Sequence, residues 1–256
     1  MIATIAIVTL GLWALARAQA PAPIESTKPA APDAPAVVVD PEPAPAFAYG
    51  ESRLGISDTD RDGILYVPKA YTPGVPMAVL MMLHGFGGAA ESARSLYPLA
   101  EEFGVILIAP ESRGLTWGQS IPGFDADVRY LGPAYRYVAG ILDLDPEHVA
   151  LGGVSDGAGY ALSMGLAYGN AFGHVMVFSG GIMAPFRKQG KPRLFFAHGI
   201  NDEQMPIGRT ARVFVPQLKA EGYDVTYHEY AGGHRVPPEE IREAFKWFVG
   251  APGGKP

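Results

Sequence analysis

One stretch of the sequence, Val149 to Leu162, restricts the possible folds more than any other. An apolar run of strand character ends at Gly153, Ser155 follows, and Gly157 leads into a run of good helix formers. Gly-x-Ser-x-Gly between a strand and a helix is typical of a strained turn that raises a serine hydroxyl above a sheet edge. Glycines at both positions remove side chains that would collide there. With 32 glycines in the chain, the alternative is a turn that only packs a helix onto a sheet.

Buried strands alternate with helices along the rest of the chain. Continuous apolar runs are expected for strands that are covered on both faces. Such runs predict strands at 77–83, 105–109, 174–178 and 194–197, and further strands are predicted at 64–68 and 225–230. Helices are predicted at 91–103, 127–142, 209–221 and 238–249. This alternation predicts an α/β fold in which a mostly parallel central sheet carries helices on both faces.

Polar residues follow the ends of four predicted strands, and they are His84, Ser155, Asp202 and His234. The carboxyl ends of parallel strands meet at one edge of a sheet, which is where such folds form their sites. We therefore expect these residues to belong to one site.

A serine hydroxyl is a weak nucleophile unless a histidine takes its proton and a carboxylate orients that histidine. His234, in a Gly-Gly-His loop after the last strand, is the predicted base for Ser155. Asp202 is the predicted acid, in the chain order Ser…Asp…His, and Glu203 is the neighbouring alternative. The other five histidines are predicted to be structural, and they are His84, His148, His174, His198 and His228.

The attack of a serine on a carbonyl produces an oxyanion, which two backbone N–H groups commonly stabilise. Asp156 follows the predicted nucleophile at the start of a helix, so its N–H is one predicted donor, and its carboxylate is interpreted as a helix N-terminal charge. Phe86, in the glycine-rich loop 84–88 after a strand, is the second predicted donor.

The sequence resembles the α/β-hydrolases of the phospholipase/carboxylesterase and polyhydroxybutyrate-depolymerase-like (feruloyl-esterase-like) group of serine esterases. The stretches that carry the resemblance are Leu83–Gly88, Pro110–Trp117, Gly153–Ala158, His198–Asp202 with Pro206, and Gly233-His234. The resemblance implies a catalytic triad of Ser155, Asp202 and His234, and carboxylic-ester hydrolysis through an acyl-enzyme. It also implies that Trp117 lines the substrate pocket. The equal alternative is that Trp117 anchors its loop by covering the sheet edge. Met183 is a weaker candidate for the pocket.

The substrate expected from this resemblance is a small or accessible acyl ester. The segment between Phe178 and Leu194 is too short for a large lid domain. Secreted depolymerases of the group often carry cysteines and a polymer-binding domain, and this chain has neither, so polymer degradation is not favoured. Two other functions stay open: a prolyl-oligopeptidase-like peptidase, and a non-catalytic binding protein on a hydrolase scaffold.

The N-terminal region predicts export. Residues 1–20 contain an apolar run followed by Ala18-Gln19-Ala20, which indicates a signal peptide cleaved after Ala20. An uncleaved membrane anchor is the alternative. The following residues, 21–48, are rich in Pro and Ala and predict an extended linker. The catalytic domain is predicted at 49–250, with a flexible tail at 251–256, and the location as periplasmic or secreted.

Composition restricts the cofactors and partners. The net charge is −6 without any Lys/Arg cluster, so nucleic acid is not expected as a partner. The absence of cysteine excludes disulfides and thiolate metal sites. Asp58–Gly63 resembles the start of a calcium loop, but the twelfth position is Lys69, and Asp62-Gly63 is better interpreted as a hairpin turn. We therefore expect no metal or cofactor, no membrane contact unless the N-terminal segment stays uncleaved, and a monomer or small homo-oligomer.

Overall fold

The computed structural model describes residues 47–118 and 126–250. The predicted signal peptide, almost all of the predicted linker and the predicted tail lie outside these residues, so those three assignments stay predictions. Within the described ranges, no helix is both long enough and apolar enough to cross a bilayer.

Eight strands form a single sheet in the order β1-β2-β4-β3-β5-β6-β7-β8. The strands are β1 (Gly50–Arg53), β2 (Gly63–Val67), β3 (Met77–Leu83), β4 (Val105–Pro110), β5 (Leu144–Val154), β6 (His174–Phe178), β7 (Arg193–Gly199) and β8 (Val225–Tyr230). β2 pairs antiparallel with β1 and β4, and the remaining pairs are parallel. The predicted mostly parallel sheet is therefore confirmed.

Five α-helices flank the sheet. They are α1 (Tyr97–Phe103), α2 (Ala126–Ile141), α3 (Asp156–Ala167), α4 (Ala211–Ala220) and α5 (Pro238–Val249). Side chains of one strand alternate between the two faces, as β3 shows. Val79 and Met81 join a cluster with residues of α2 and α3, whereas Leu80 and Met82 join a cluster with residues of α1 and α5. Helices cover both faces, as predicted, which explains why β3 and β4 are apolar at every position.

Two predicted helices are shorter than expected. The segment predicted as a helix at 91–103 begins as a 3-10 turn over Ala90–Leu96, and α1 starts only at Tyr97. Pro98 has no N–H, and the first turn of a helix is where a missing N–H breaks no hydrogen bond, so Pro98 favours a helix start at this point. In the helix predicted at 209–221, Thr210 has φ −124° and ψ −103°, and this non-helical residue separates a 3-10 turn from α4.

The β1–β2 connection is a hairpin, but a longer one than a two-residue Asp-Gly turn. Residues 54–62 join the strands, and the buried Asp62 carboxylate accepts hydrogen bonds from the N–H groups of residues 55–57. Gly63 has φ +138°, and a Cβ there would lie 2.8 Å from the Ala109 carbonyl oxygen. The first acidic residues of the calcium-like motif therefore lie in a hairpin loop, whose shape depends on Asp62.

Candidate active site

The turn between β5 and α3 has the strained geometry that its sequence predicts. Ser155 has φ 57° and ψ −120°, which non-glycine residues rarely adopt. A Cβ at Gly153 would lie 2.3 Å from the Gly157 carbonyl, and a Cβ at Gly157 would lie 2.4 Å from the His84 carbonyl oxygen. The predicted steric role of both glycines is therefore confirmed. Any larger residue would force the serine out of position.

Three loops at the carboxyl edge of the sheet bring the predicted triad together. Ser155 follows β5, Asp202 follows β7 and His234 follows β8. The Ser155 Oγ lies 2.8 Å from His234 Nε2, and His234 Nδ1 lies 2.8 Å from Asp202 Oδ2. In this geometry the hydroxyl donates to Nε2 and the Nδ1–H donates to the carboxylate. The His234 side chain is 18% exposed, so its outer surface faces solvent where a substrate would arrive.

The Asp202 carboxylate is buried and fully satisfied by donors. Its Oδ1 accepts the N–H groups of Gln204 and Met205 at 3.0 and 2.8 Å, and its Oδ2 accepts from His234. Burial alone would raise its pKa, but the Met205 N–H and the His234 ring outweigh that effect and lower the pKa below the usual range. The alternative acid, Glu203, is exposed. The structure therefore gives Asp202, and not Glu203, the contact with His234.

A second histidine touches the same carboxylate. His198 Nε2 donates to the Met205 carbonyl at 2.7 Å and lies 3.3 Å from Asp202 Oδ2. Burial lowers the pKa of His198, so its ring is neutral at neutral pH. The structural role predicted for His198 fits this position, but its contact with the acid was not predicted. The sequence signal was the His-Gly-x-x-Asp spacing, which puts both side chains at one strand end.

His84 connects the loop after β3 to the loop after β4. Its Nδ1 donates to the Gly85 carbonyl at 2.7 Å, and its Nε2 accepts the Ser112 N–H at 3.1 Å. Burial lowers the pKa of His84, which keeps the ring in this neutral form. The Trp117 indole N–H adds a second connection by donating to the His84 carbonyl at 2.7 Å. The predicted structural role of His84 agrees with these bonds.

The two predicted oxyanion donors lie on either side of Ser155. Gly85 is close enough that a Cβ there would lie 3.5 Å from the Ser155 Cβ, so the loop carrying Phe86 passes beside the serine. Asp156 begins α3, where free N–H groups and the helix dipole favour negative charge. Within the described part of the chain, neither the Phe86 nor the Asp156 N–H donates a hydrogen bond. Both donors are therefore free to bind a developing oxyanion.

The two predicted pocket residues occupy different surroundings. Trp117 is only 4% exposed and contacts the rings of His84 and Tyr160, so its position matches the loop-anchor alternative. Its neighbour Thr116 donates to the Asp156 carboxylate at 3.1 Å. Met183 is half-buried and packs against the cluster between α3 and α4. Packing accounts for both positions, and their contact with substrate stays a prediction.

Exposed apolar side chains lie on four loops at the carboxyl edge of the sheet, the edge that carries the predicted triad. They are Phe86 after β3, Leu115 after β4, Ile182 after β6 and Ile200 after β7, and we call them the apolar rim. The Gly87 N–H donates to the Leu115 carbonyl at 2.8 Å, which holds the first two loops together. Ile182 packs over Gly159, one turn into α3 from Ser155. The sequence analysis did not predict this rim. The available signal was that each of its four side chains lies in the loop after a strand.

Ser179 is a second strained serine that was not predicted. It follows β6 with φ 52°, is fully buried, and its Oγ lies 3.2 Å from the Tyr230 hydroxyl. The Ser-Gly-Gly sequence after a strand was the available signal for a tight turn. Among the residues that the structure describes, no group of three or more His, Asp or Glu side chains is arranged to hold a metal ion.

Comparison with curated proteins identifies distant relatives. No protein-family model matches the chain. A probable feruloyl esterase C from Aspergillus oryzae is 30% identical over 157 residues, which cover 58% of this chain and 57% of that protein. The acyl-protein thioesterase 1 of Gibberella zeae is 25% identical over 193 residues, covering 62% of this chain and 81% of that protein. The chain thus spans a little over half the length of the feruloyl esterase that it matches.

Solved structures share the fold at low sequence identity. An S-formylglutathione hydrolase (FrmB) from Staphylococcus aureus superposes with a TM-score of 0.64 at 17% identity, over 79% of this chain and 98% of that chain. A CE1 ferulic acid esterase from Anaeromyces mucronatus gives 0.62 at 15% identity, over 82% and 93% of the two chains. Together with the sheet order and the turn at Ser155, these similarities show that the chain has the α/β-hydrolase fold.

Proposed function

We propose that this α/β-hydrolase is a serine hydrolase that cleaves carboxylic esters through an acyl-enzyme intermediate. The observation that carries the proposal is the unbroken chain of hydrogen bonds from Ser155 through His234 to Asp202, beside two free backbone N–H groups. The names of the relatives, esterases and a thioesterase, agree with this chemistry.

In the first half of the reaction, Ser155 Oγ attacks the ester carbonyl while His234 Nε2 takes its proton. The N–H groups of Phe86 and Asp156 bind the oxyanion of the tetrahedral intermediate. The Asp202 carboxylate stabilises the imidazolium and keeps the proton of the neutral ring on Nδ1. His234 then gives the proton to the departing alkoxide, so the alcohol leaves and the acyl group stays on Ser155.

In the second half, water replaces the alcohol. His234 takes a proton from water as the water attacks the acyl carbonyl, and the same two N–H groups bind the second oxyanion. Collapse of this intermediate breaks the bond to Ser155 Oγ, which recovers its proton from His234. The products are the free carboxylic acid and the original enzyme.

The apolar rim supports esters with an apolar or aromatic acyl group as substrates. Its side chains on four loops offer apolar surface to whichever part of the ester lies outside the turn at Ser155. Residues 179–192, all described, contain no helix or strand that would form a large lid. We therefore expect the site to accept small or accessible acyl esters directly from solution.

Hydrolysis of p-nitrophenyl esters from acetate to palmitate tests the proposal, with Ser155→Ala as the control. Turnover that peaks at one chain length and disappears in the variant would support a serine esterase, and labelling of Ser155 by a fluorophosphonate would support the nucleophile. Labelling without any ester turnover would favour the non-catalytic alternative. Cleavage of prolyl peptides but not of esters would favour the peptidase alternative.

Export and assembly are further parts of the proposal, and they rest on sequence alone. We propose that cleavage after Ala20 releases a periplasmic or secreted enzyme that is a monomer or small homo-oligomer. N-terminal sequencing of the protein from its host, with fractionation and light scattering, tests this. An intact N-terminus in the membrane fraction would indicate the anchored alternative.

A further inference from the structure

A cavity lies away from the triad, between α2 and the C-terminal part of α3. It has a volume of about 660 Å³, within the range of small-molecule sites. Its lining includes Leu131, Val149, Met164 and Tyr168. Met164 is nine residues along α3 from Ser155, so at 1.5 Å per residue the cavity floor lies roughly 13 Å along the helix from the nucleophile. The proposed ester chemistry does not use this space.

The walls of the cavity are apolar and belong to the core. Leu131, Val149 and Met164 are members of the buried cluster between the sheet and α2, and Tyr168 and Phe172 pack against the same cluster. Such a wall has few hydrogen-bonding groups for a polar ligand. Its affinity for a ligand grows with the apolar surface area that binding removes from water. The walls therefore favour an aliphatic or aromatic body.

The mouth of the cavity is positive. Arg129 and Arg136 lie seven residues apart on α2, and thus on one helix face, and both line the cavity. Neither forms an ion pair within the described residues. Arg187 does not line the cavity, but its guanidinium lies over the ring of the lining residue Tyr168, 4.9 Å from the ring centroid. The acidic residue nearest in sequence, Asp127, is buried and accepts N–H groups of the loop after β4.

An apolar cavity with unpaired arginines at its mouth matches an amphipathic anion. We infer that this cavity binds a fatty acid, with its chain against Met164 and Tyr168 and its carboxylate at Arg129 and Arg136. Guanidinium groups pair well with carboxylates, because their N–H donors match the two oxygens. The site is separate from the triad, so this binding does not depend on whether the chain hydrolyses esters.

Isothermal titration calorimetry of hexanoate, octanoate and decanoate, below their aggregation concentrations, tests the inference. If the chain enters the cavity, affinity rises by about fourfold for each added methylene. Decanol, which lacks the charge, binds about tenfold more weakly than decanoate. The double variant Arg129→Gln/Arg136→Gln loses that preference for the anion, whereas Lys219→Gln on α4 keeps it.

A pair of glycine variants on α2 locates the site. Gly132→Leu places a side chain in the cavity mouth, while a Cβ at Gly132 makes only an ordinary 3.4 Å contact with Arg136. Gly140→Leu on the same helix has open space around it and does not line the cavity. Both changes favour helix formation, so unfolding does not explain a loss. We expect binding to fall at least tenfold in the first variant and less than twofold in the second.

Two results would overturn the inference. One is the absence of decanoate binding to the unmodified protein. The other is decanoate binding that persists in Gly132→Leu, and its loss in Leu115→Ser would then put the ligand on the apolar rim. Loss in Gly132→Leu with full binding in Leu115→Ser is the result that supports the cavity.

Discussion

Histidines at the two edges of the sheet have opposite surroundings. At the carboxyl edge, His84, His198 and His234 each make hydrogen bonds to backbone or side-chain groups of the loops. At the amino edge, His174 lies among the rings of Trp247 and Phe248, and its Nδ1 has no hydrogen-bond partner in the described part of the chain. The three histidines at the carboxyl edge thus act as polar connectors, whereas His174 at the amino edge contributes to packing.

The difference follows from how parallel strands end. At the carboxyl edge, loops bend sharply into helix starts and expose backbone N–H and C=O groups that imidazoles can bind. At the amino edge, the His174 ring is packed beside His148 and close to Arg193. Burial, then the positive charges of Arg193 and His148, lower the pKa of His174 to about 4. The predicted catalytic residues therefore lie at the carboxyl edge, whereas His174 at the amino edge is a buried group that opposes protonation.

The largest effect expected from breaking the carboxyl-edge network is that of Asp202→Asn. The amide no longer holds the His234 ring in the required tautomer, so kcat for the best ester falls by about 10⁴-fold. Steady-state kinetics measures the loss, and Glu203→Gln is the matched control, expected to change kcat less than threefold. A larger loss from the Glu203 change would contradict the assignment of the acid.

At the amino edge, His174→Phe is expected to reduce the loss of stability at acid pH. The pKa of His174 is lower in the folded chain than in the unfolded chain. Below about pH 6.5 the unfolded chain therefore binds a proton at His174, whereas the folded chain binds it only near pH 4. Stability is therefore lost as the pH falls through this window, by on the order of 3 kcal/mol. Urea unfolding at pH 7 and pH 4 measures this loss. An equal pH dependence in the variant would show that other groups cause it.

Trp117→Phe tests the connection between the two loops beside Ser155. The ring stays but the His84 carbonyl loses its indole donor, which leaves a buried acceptor unpaired and costs about 1–3 kcal/mol of unfolding free energy. We also expect kcat to fall about tenfold, because the Phe86 N–H is less well positioned. Trp247→Phe is a matched control, because the Trp247 indole nitrogen is buried without a partner. If both variants lose kcat equally, the connection has no role in catalysis.

His198→Phe is expected to have the smallest effect on activity. It removes the donor near Asp202 Oδ2 but leaves the His234 contact, so kcat falls by about tenfold or less while KM stays unchanged. A change in KM alone would indicate that His198 shapes the substrate pocket and does not position the acid.

Much of the fold and the triad could be predicted from local patterns. Continuous apolar runs predicted five of the strands, because a strand that is buried on both faces carries an apolar residue at nearly every position. The glycines at 153 and 157 predicted the strained turn because only glycine fits there. The short β1 strand, the early start of β5 at Leu144 and the 3-10 turn before α1 were missed. β1 exists because it pairs with β2, and β5 begins early because Leu144 pairs with Met77. The 3-10 turn ends where Pro98 favours the start of α1.

By itself, the sequence determined the strand–turn–helix at Ser155 and the chain order of the three triad residues, because these depend on local sterics and on the alternation of elements. Tertiary structure decided which acid meets His234, the contact of His198 with that acid and the burial of Trp117 as a loop anchor. It also decided that an apolar cavity, lined in part by two arginines, lies between α2 and α3. Each of these features brings together residues that are distant in sequence. Side-chain packing sets how close they come, and no local sequence pattern encodes that packing.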